Sequence, residues 1–202
     1  MKRLDAFATP VWVEDLPELA PHRERMVQAV RALRAAESGL KSYSTRGGWH
    51  SGDDLFGHPE FAVLRDRLVP VIRAVLGDYG VEPGRLSFKL PAWANVHDRG
   101  GHNVSHVHPG AWLSGTVYLS VPPGAGRVYF DDPRPAAVME SLPRRPDFQP
   151  PPAHARGKFF AQPRDLMVVM FPSWLPHGVE PCECDERISV AFNVDPALMP
   201  PG

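Results

Sequence analysis

The sequence predicts a mainly β protein, a sandwich or barrel of short strands with two N-terminal helices packed on it. Three observations carry this. Two stretches of helical periodicity come first, within residues 16–80, and a series of short β-rich runs follows, within 86–195. Glycine and proline punctuate those runs, and the 24 prolines suit many short strands joined by irregular loops rather than long helical bundles. With 202 residues, 43% of them hydrophobic and 22% charged, the chain has the composition of a soluble globular protein, and one domain over 1–202 is the expectation.

Taken in order, residues 1–15 hold Phe7, Val11, Trp12 and Val13, an opening strand that docks on the sheet. Pro21 to Glu37 reads as a helix. Pro21 suits a first-turn position and Met26, Val30 and Leu33 recur at helical spacing, while Arg23, Arg31 and Arg34 read as a solvated stripe. Lys41 to Gly57 has the glycines and hydroxyls of a loop. His58 to Gly80 is a second helix with Phe61, Leu64, Leu68, Ile72, Val75 and Leu76 on one face, and Pro70 within it is expected to kink or split it. The strands are then Ser87–Val96, Ser114–Val121, Arg127–Phe130, Lys158–Ala161, Leu166–Phe171 and Arg187–Val194.

Between them, residues 132–164 form a Pro-rich stretch made basic by Arg144, Arg145, Arg156 and Lys158. It reads either as a lid that meets an anionic substrate group or as a solvated loop.

Charge and composition exclude several classes of function. A formal net charge of -1 gives no field to recruit nucleic acid or an anionic membrane. No apolar run approaches the roughly 20 residues of a membrane span, and Met1 to Asp5 lead into no apolar signal core, so the expectation is a cytoplasmic protein. Cys182 and Cys184 read as a turn of partly exposed thiols in a reducing compartment.

The candidate chemistry lies in five residues. His106 and His108 fall on the same side of an extended segment, half of a metal site, and His177 is a third imidazole. Ten residues after His177 comes Arg187, followed by Ser189. On the last strand Arg187, Ser189, Ala191 and Asn193 share one face, and Ile188, Val190, Phe192 and Val194 the other. A guanidinium looking into a barrel needs an anion, and no acid stands at a suitable place on that strand. A small-molecule carboxylate gripped by Arg187 and hydrogen-bonded by Ser189 would serve.

These residues resemble the Fe(II)/2-oxoglutarate-dependent dioxygenases, whose pattern is His-x-(Asp/Glu), a distal His and then Arg-x-Ser. Gly48-Trp49-His50-Ser51, Trp93-Ala94-Asn95, His106-Val107-His108-Pro109, Ser114-Gly115, Phe130 to Pro133, Phe171-Pro172-Ser173 and Arg187 to Asn193 resemble more closely a bacterial group of 2-oxoglutarate/iron oxygenases. The resemblance implies a double-stranded β-helix core of the jelly-roll or cupin-like kind. It implies Fe(II), 2-oxoglutarate and O2 as cofactor and co-substrates, with His106, His108 and His177 as metal ligands. It also implies that Arg187 and Ser189 hold the far carboxylate of 2-oxoglutarate. Asn95 stands where it would hold the C1 carboxylate, or serves as a strand-end amide. His97 takes the place of a tyrosine in the alkyl-DNA-repair branch, where it would bond the co-substrate. Tyr118 shares a strand face with Ser114, Thr116 and Ser120 that lines the pocket or meets water. The implied reaction is oxidation of a C–H bond in a small molecule, amino acid or peptide.

Position 108 departs from the wider family, which has a carboxylate there. A site of three nitrogens suits Zn, Cu and Ni as well as Fe(II), and Asp131 or water completes the site if His108 does not. His22, His50, His58 and His154 read as solvent or packing histidines, and Trp93 and Trp112 as core or pocket wall. Two rival readings remain. A cupin dioxygenase without 2-oxoglutarate fits the Gly100-to-His108 spacing and Pro172 before His177, but has no acid in Pro109 to Leu113 and no use for Arg187 and Ser189. A non-catalytic metal- or ligand-binding barrel is the other. Exposed edge strands leave a homodimer open.

Overall fold

Among the described residues, ten antiparallel strands form one sheet that curls on itself, with two α-helices against its outer face. The computed structural model describes residues 2, 7–36, 39, 44–82, 87–135 and 157–197. The strands are β1 (Trp12–Asp15), β2 (Thr45–His50), β3 (Phe88–Lys89), β4 (Ala92–His106), β5 (Leu113–Ser120), β6 (Val128–Asp131), β7 (Lys158–Ala161), β8 (Met167–Pro172), β9 (His177–Val179) and β10 (Arg187–Pro196). They run in the order β1-β8-β5-β10-β4-β9-β6-β7, with β2 on β4 and β3 on β10. This is the predicted mainly β architecture of a double-stranded β-helix. Most of the Pro-rich stretch, with Arg144, Arg145, His154 and Arg156, lies outside the described residues.

Periodicity explains which strands are buried on which side. On β10 the alternate residues Ile188, Val190, Phe192 and Val194 join the cluster under the helices, and the polar set faces inward. β8 is buried on both faces: Val168 and Met170 meet the helices, while Met167, Val169 and Phe171 build an inner cluster with Tyr118, Val128 and Phe130. Its unbroken apolar run is the signature of a strand enclosed on both sides.

β4 is longer than the sequence suggested. It continues past Val96 to His106, its first half paired with β10, its second with β9, and β2 paired with both. Gly100, at φ +81, sits in the part between, which carries the half-buried Asp98 and the exposed Arg99. The stretch read as a loop before the second helix contains β2. Its glycines belong to close approach: a Cβ on Gly48 would stand 2.5 Å from Val96 O and 3.3 Å from His97 Cα.

The helices α1 (Ala20–Ala36) and α2 (Ala62–Asp78) follow short 3-10 turns at Pro17–Leu19 and Pro59–Phe61. Met26, Val27 and Val30 of α1 and Leu64, Leu68, Ile72 and Val75 of α2 pack on the sheet. Pro70 lies inside α2 without splitting it. The arginine stripe of α1 is not a free solvated face. Arg23 donates to Leu119 O at 2.8 Å, Arg31 pairs with Glu186 at 2.6 Å, and Arg34 grips Asp98 through two bonds of 2.9 and 2.6 Å. The stripe therefore ties the helix to the strands. The two thiols also differ from expectation: Cys182 and Cys184 are buried, closing a small cluster with Ala125.

Candidate active site

Strand pairing brings side chains of seven strands, β2, β4, β5, β6, β8, β9 and β10, into one cavity of about 720 Å³. On β10 against β4, Arg187 pairs with His97, Ser189 with Asn95 and Ala191 with Trp93. On β10 against β5, Ser189 pairs with Tyr118 and Asn193 with Ser114, and His50 of β2 pairs with Asn95. His106, His108, His177, Arg187, Ser189, Asn95, Tyr118 and His97 all line this cavity.

At one end three imidazoles converge. His106 ends β4, His177 begins β9, and the two are register partners. His108 follows the strand, its backbone N–H donating to Ser173 O at 2.9 Å. Ring centroids are separated by 4.4 Å (His106–His177), 4.9 Å (His106–His108) and 5.1 Å (His108–His177). One nitrogen from each ring lies within 4.8 Å of the others.

Two of the rings are fixed in the tautomer a cation needs, and all three are pushed toward the neutral form. His106 Nδ1–H donates to Val104 O at 2.8 Å and His177 Nδ1–H to Leu175 O at 2.9 Å, since a carbonyl can only accept. Both therefore carry their lone pair on Nε2. Burial pushes His106 below its ordinary pKa. Burial and the neighbouring His106 bring His108 down to about 4 and His177 down to about 3. Neutral imidazoles are what metal coordination requires. Asp131 stands outside this cluster: its carboxylate receives Ser105 and, at 2.6 Å, Lys158.

At the other end Arg187 is 1% exposed and, among the described residues, meets no carboxylate. Its Nη1 donates to His97 Nδ1 at 3.2 Å and its guanidinium carbon lies 5.0 Å from the Tyr118 ring centroid. Burial and the Arg187 charge drive His97 down to about 3, so it is neutral, although Asn103 stands close enough to favour its protonated form. Because arginine can only donate, the proton of His97 sits on Nε2. That nitrogen, Asn95 Oδ1, Tyr118 Oη and Arg187 Nε are buried without hydrogen-bond partners among the described residues. Burial raises the Tyr118 pKa, against the pull of the nearby guanidinium, so its hydroxyl keeps its proton. The three donors among these unpartnered atoms, His97 Nε2, Tyr118 Oη and Arg187 Nε, fit an anionic, multidentate ligand, because an orphaned buried polar group costs about 1–3 kcal/mol.

Some cavity residues escaped the sequence reading. His50, set aside as solvent or packing, lines the cavity and stacks on Trp93 with centroids 5.6 Å apart. Asn103 lines it too, donating to Ser44 and Thr45. The adjacent Gly48 was the available signal for His50, since it marks close strand approach. His22 and His58 lie elsewhere, as expected.

Residues 91–193, just over half of the chain, match the family model described as "Putative 2OG-Fe(II) oxygenase". The chain belongs to this family. Solved structures agree on the fold. A Pseudomonas putida prolyl-4-hydroxylase superposes with TM-score 0.64 at 15% identity, covering 94% of each chain. HygX from Streptomyces hygroscopicus, solved with nickel, 2-oxoglutarate and hygromycin B, gives 0.63 at 15% identity over 95% of this chain and 85% of its own. A prolyl hydroxylase from Trichoplax adhaerens, in complex with a peptide, gives 0.60 at 12% identity over 92% and 83%. No curated protein matches the chain. Membership of the 2OG-Fe(II) oxygenase family decides for an iron- and 2-oxoglutarate-dependent oxygenase over the two rival readings. Among the described residues no helix is long and apolar enough to cross a membrane.

Proposed function

We propose that His106, His108 and His177 hold the iron, that Arg187 and Ser189 hold the far carboxylate of 2-oxoglutarate, and that the oxidation falls on a C–H bond of a small molecule, amino acid or peptide. The observation that carries the reading is Arg187, a guanidinium sealed in a cavity with no acid of the described chain beside it. A bound dianion supplies the missing partner.

The chain's residues orient the co-substrate. His97 Nε2–H and the Tyr118 hydroxyl are donors without acceptors, beside the guanidinium, and each can meet a carboxylate oxygen. The Asn95 amide, turned by half a rotation, presents its NH2 to the C1 carboxylate. Bound iron, with 2-oxoglutarate and O2, supplies the oxidative decarboxylation and the oxidation of the C–H bond. His50 and Trp93, stacked beside His108, form a flat wall against which substrate rests.

The buried, unbridged thiols support a cytoplasmic, reducing location. We read residues 1–202 as one domain, whose exposed edge strands suit a homodimer. Titrating 2-oxoglutarate into the anaerobic Fe(II) protein tests the reading. A visible metal-to-ligand charge-transfer band that saturates with stoichiometric 2-oxoglutarate is expected, and a colourless titration overturns it.

A further inference from the structure

The three imidazoles are not held alike. His106 and His177 each give their Nδ1–H to a backbone carbonyl, which can do nothing but accept, so their Nε2 lone pairs are fixed. Among the described residues His108 has no such carbonyl. Its Nδ1 lies 3.5 Å from the side-chain amide of Asn193, and the other end of that amide lies 2.8 Å from Ser114 Oγ. An amide has a donor end and an acceptor end, while a hydroxyl can donate or accept.

The Ser114–Asn193–His108 chain is therefore satisfied in two ways. With the amide NH2 toward His108, Nδ1 accepts and the ring proton sits on Nε2, which then has no lone pair for a cation. With the amide turned by half a rotation, its oxygen receives His108 Nδ1–H, its NH2 donates to Ser114 Oγ, and Nε2 is free. Ser114 is buried at 2% exposure and reads either orientation equally well.

We propose that Asn193 is the positioning residue of the third ligand: its amide, backed by Ser114, selects the tautomer of His108 and so whether position 108 binds metal. The inference rests on the reading of His108 as a ligand. A position that carries an acid elsewhere in the wider family is here made competent through a neutral neighbour, and the amide turns as the cation arrives. Partners that orient a ligating imidazole are worth roughly 10- to 100-fold in metal affinity.

The test is Co(II) affinity, measured by competition with a chromophoric chelator, for the wild-type chain and for Asn193→Leu, Asn193→Asp and Ser114→Ala. Proton–nitrogen correlation spectra of the Zn(II)-loaded wild-type protein, labelled in its histidines, accompany it. Asn193→Leu should bind Co(II) roughly 10- to 100-fold more weakly. Asn193→Asp, which can only accept, should restore or exceed wild-type affinity. Ser114→Ala should lose less than Asn193→Leu. The spectra should show His108 protonated on Nδ1. Wild-type affinity in Asn193→Leu, or an Asn193→Asp as weak as the leucine variant, overturns the proposal. So does a His108 protonated on Nε2 with zinc bound. Should Asn193→Leu fail to fold, the aspartate variant and the spectra decide. A wild-type protein that binds no Co(II) removes the metal reading itself, whereas tight wild-type binding that Asn193→Leu leaves unchanged removes only the role of Asn193.

Discussion

The seam between α1 and the sheet and the interior of the cavity use the same residue type to opposite ends. On the seam, Arg31 meets Glu186 and Arg34 takes both oxygens of Asp98. In the cavity, Arg187 meets an imidazole nitrogen and an aromatic ring, and no carboxylate among the described residues. The described residues supply counter-ions where water could have served and leave the buried Arg187 without one. Exposed pairs are worth about 0.2–1 kcal/mol, whereas a buried charge without its partner costs several. The difference marks the cavity as a place completed by a ligand.

The strongest way to break that comparison is to remove the cavity arginine. Truncating one member of a buried charge pair weakens binding by about 2–5 kcal/mol, or roughly 30-fold to several thousand-fold. Arg187→Leu should raise the dissociation constant for 2-oxoglutarate by at least about 30-fold, measured by calorimetry on the Mn(II)-loaded protein. The ligand-free variant should be no less stable than wild type in urea, because the buried charge it removes has no carboxylate partner. A dissociation constant within threefold of wild type, or a marked loss of ligand-free stability, would make Arg187 a structural residue like those on the seam.

Protonation sharpens the comparison from another side. His97 and His177 are brought to about 3 and His108 to about 4, each chiefly by burial, against an ordinary value of 6.5. The folded state thus keeps these rings neutral at a pH where the unfolded chain binds protons, so stability rises with pH. The contribution is fully present above about pH 6.5 and is lost as pH falls toward 3–4. Between pH 7 and pH 5 the metal-free protein should lose on the order of 1–2 kcal/mol for each such histidine, the least for His108, which is only partly buried. Urea unfolding at the two pH values reads this. His97→Gln should flatten the slope, while Arg34→Ala should not, and equal slopes for all three proteins would refute the assignment.

Much of this was legible in the sequence because it is periodic. The alternation on β10 separates an apolar face from Arg187, Ser189 and Asn193, and the helical spacing of α2 gives its packing face directly. Seven of the eight candidate residues were placed by motif order and Tyr118 by its strand face, and the fold brings all eight to one cavity. What was missed depends on neighbours far along the chain. β2 looked like a loop because Gly48 has no side chain, and only the approach of β4 explains why. The Arg23, Arg31 and Arg34 stripe has the spacing of a solvated face, and its acids come from residues 98, 165 and 186. His50 stood inside the Gly48-Trp49-His50-Ser51 motif but was given no site role, since the strand that aims it at the cavity was unrecognised.

The smallest effect belongs to the seam itself. Arg34 and Asp98 are each about a third or more exposed, at 33% and 45%, so solvent screens their attraction even in a two-pronged geometry. Arg34→Ala should therefore cost no more than about 1 kcal/mol in urea unfolding and should shrink further in high salt. Asp98 lies on β4 next to His97, so the substitution also asks whether the seam and the cavity communicate. If the cavity's polar groups are held by strand register alone, 2-oxoglutarate affinity should match wild type within twofold. A larger loss would mean that α1 holds β4 in place through this pair, and that the comparison drawn between a paired surface and an unpaired interior has to be redrawn as one connected network.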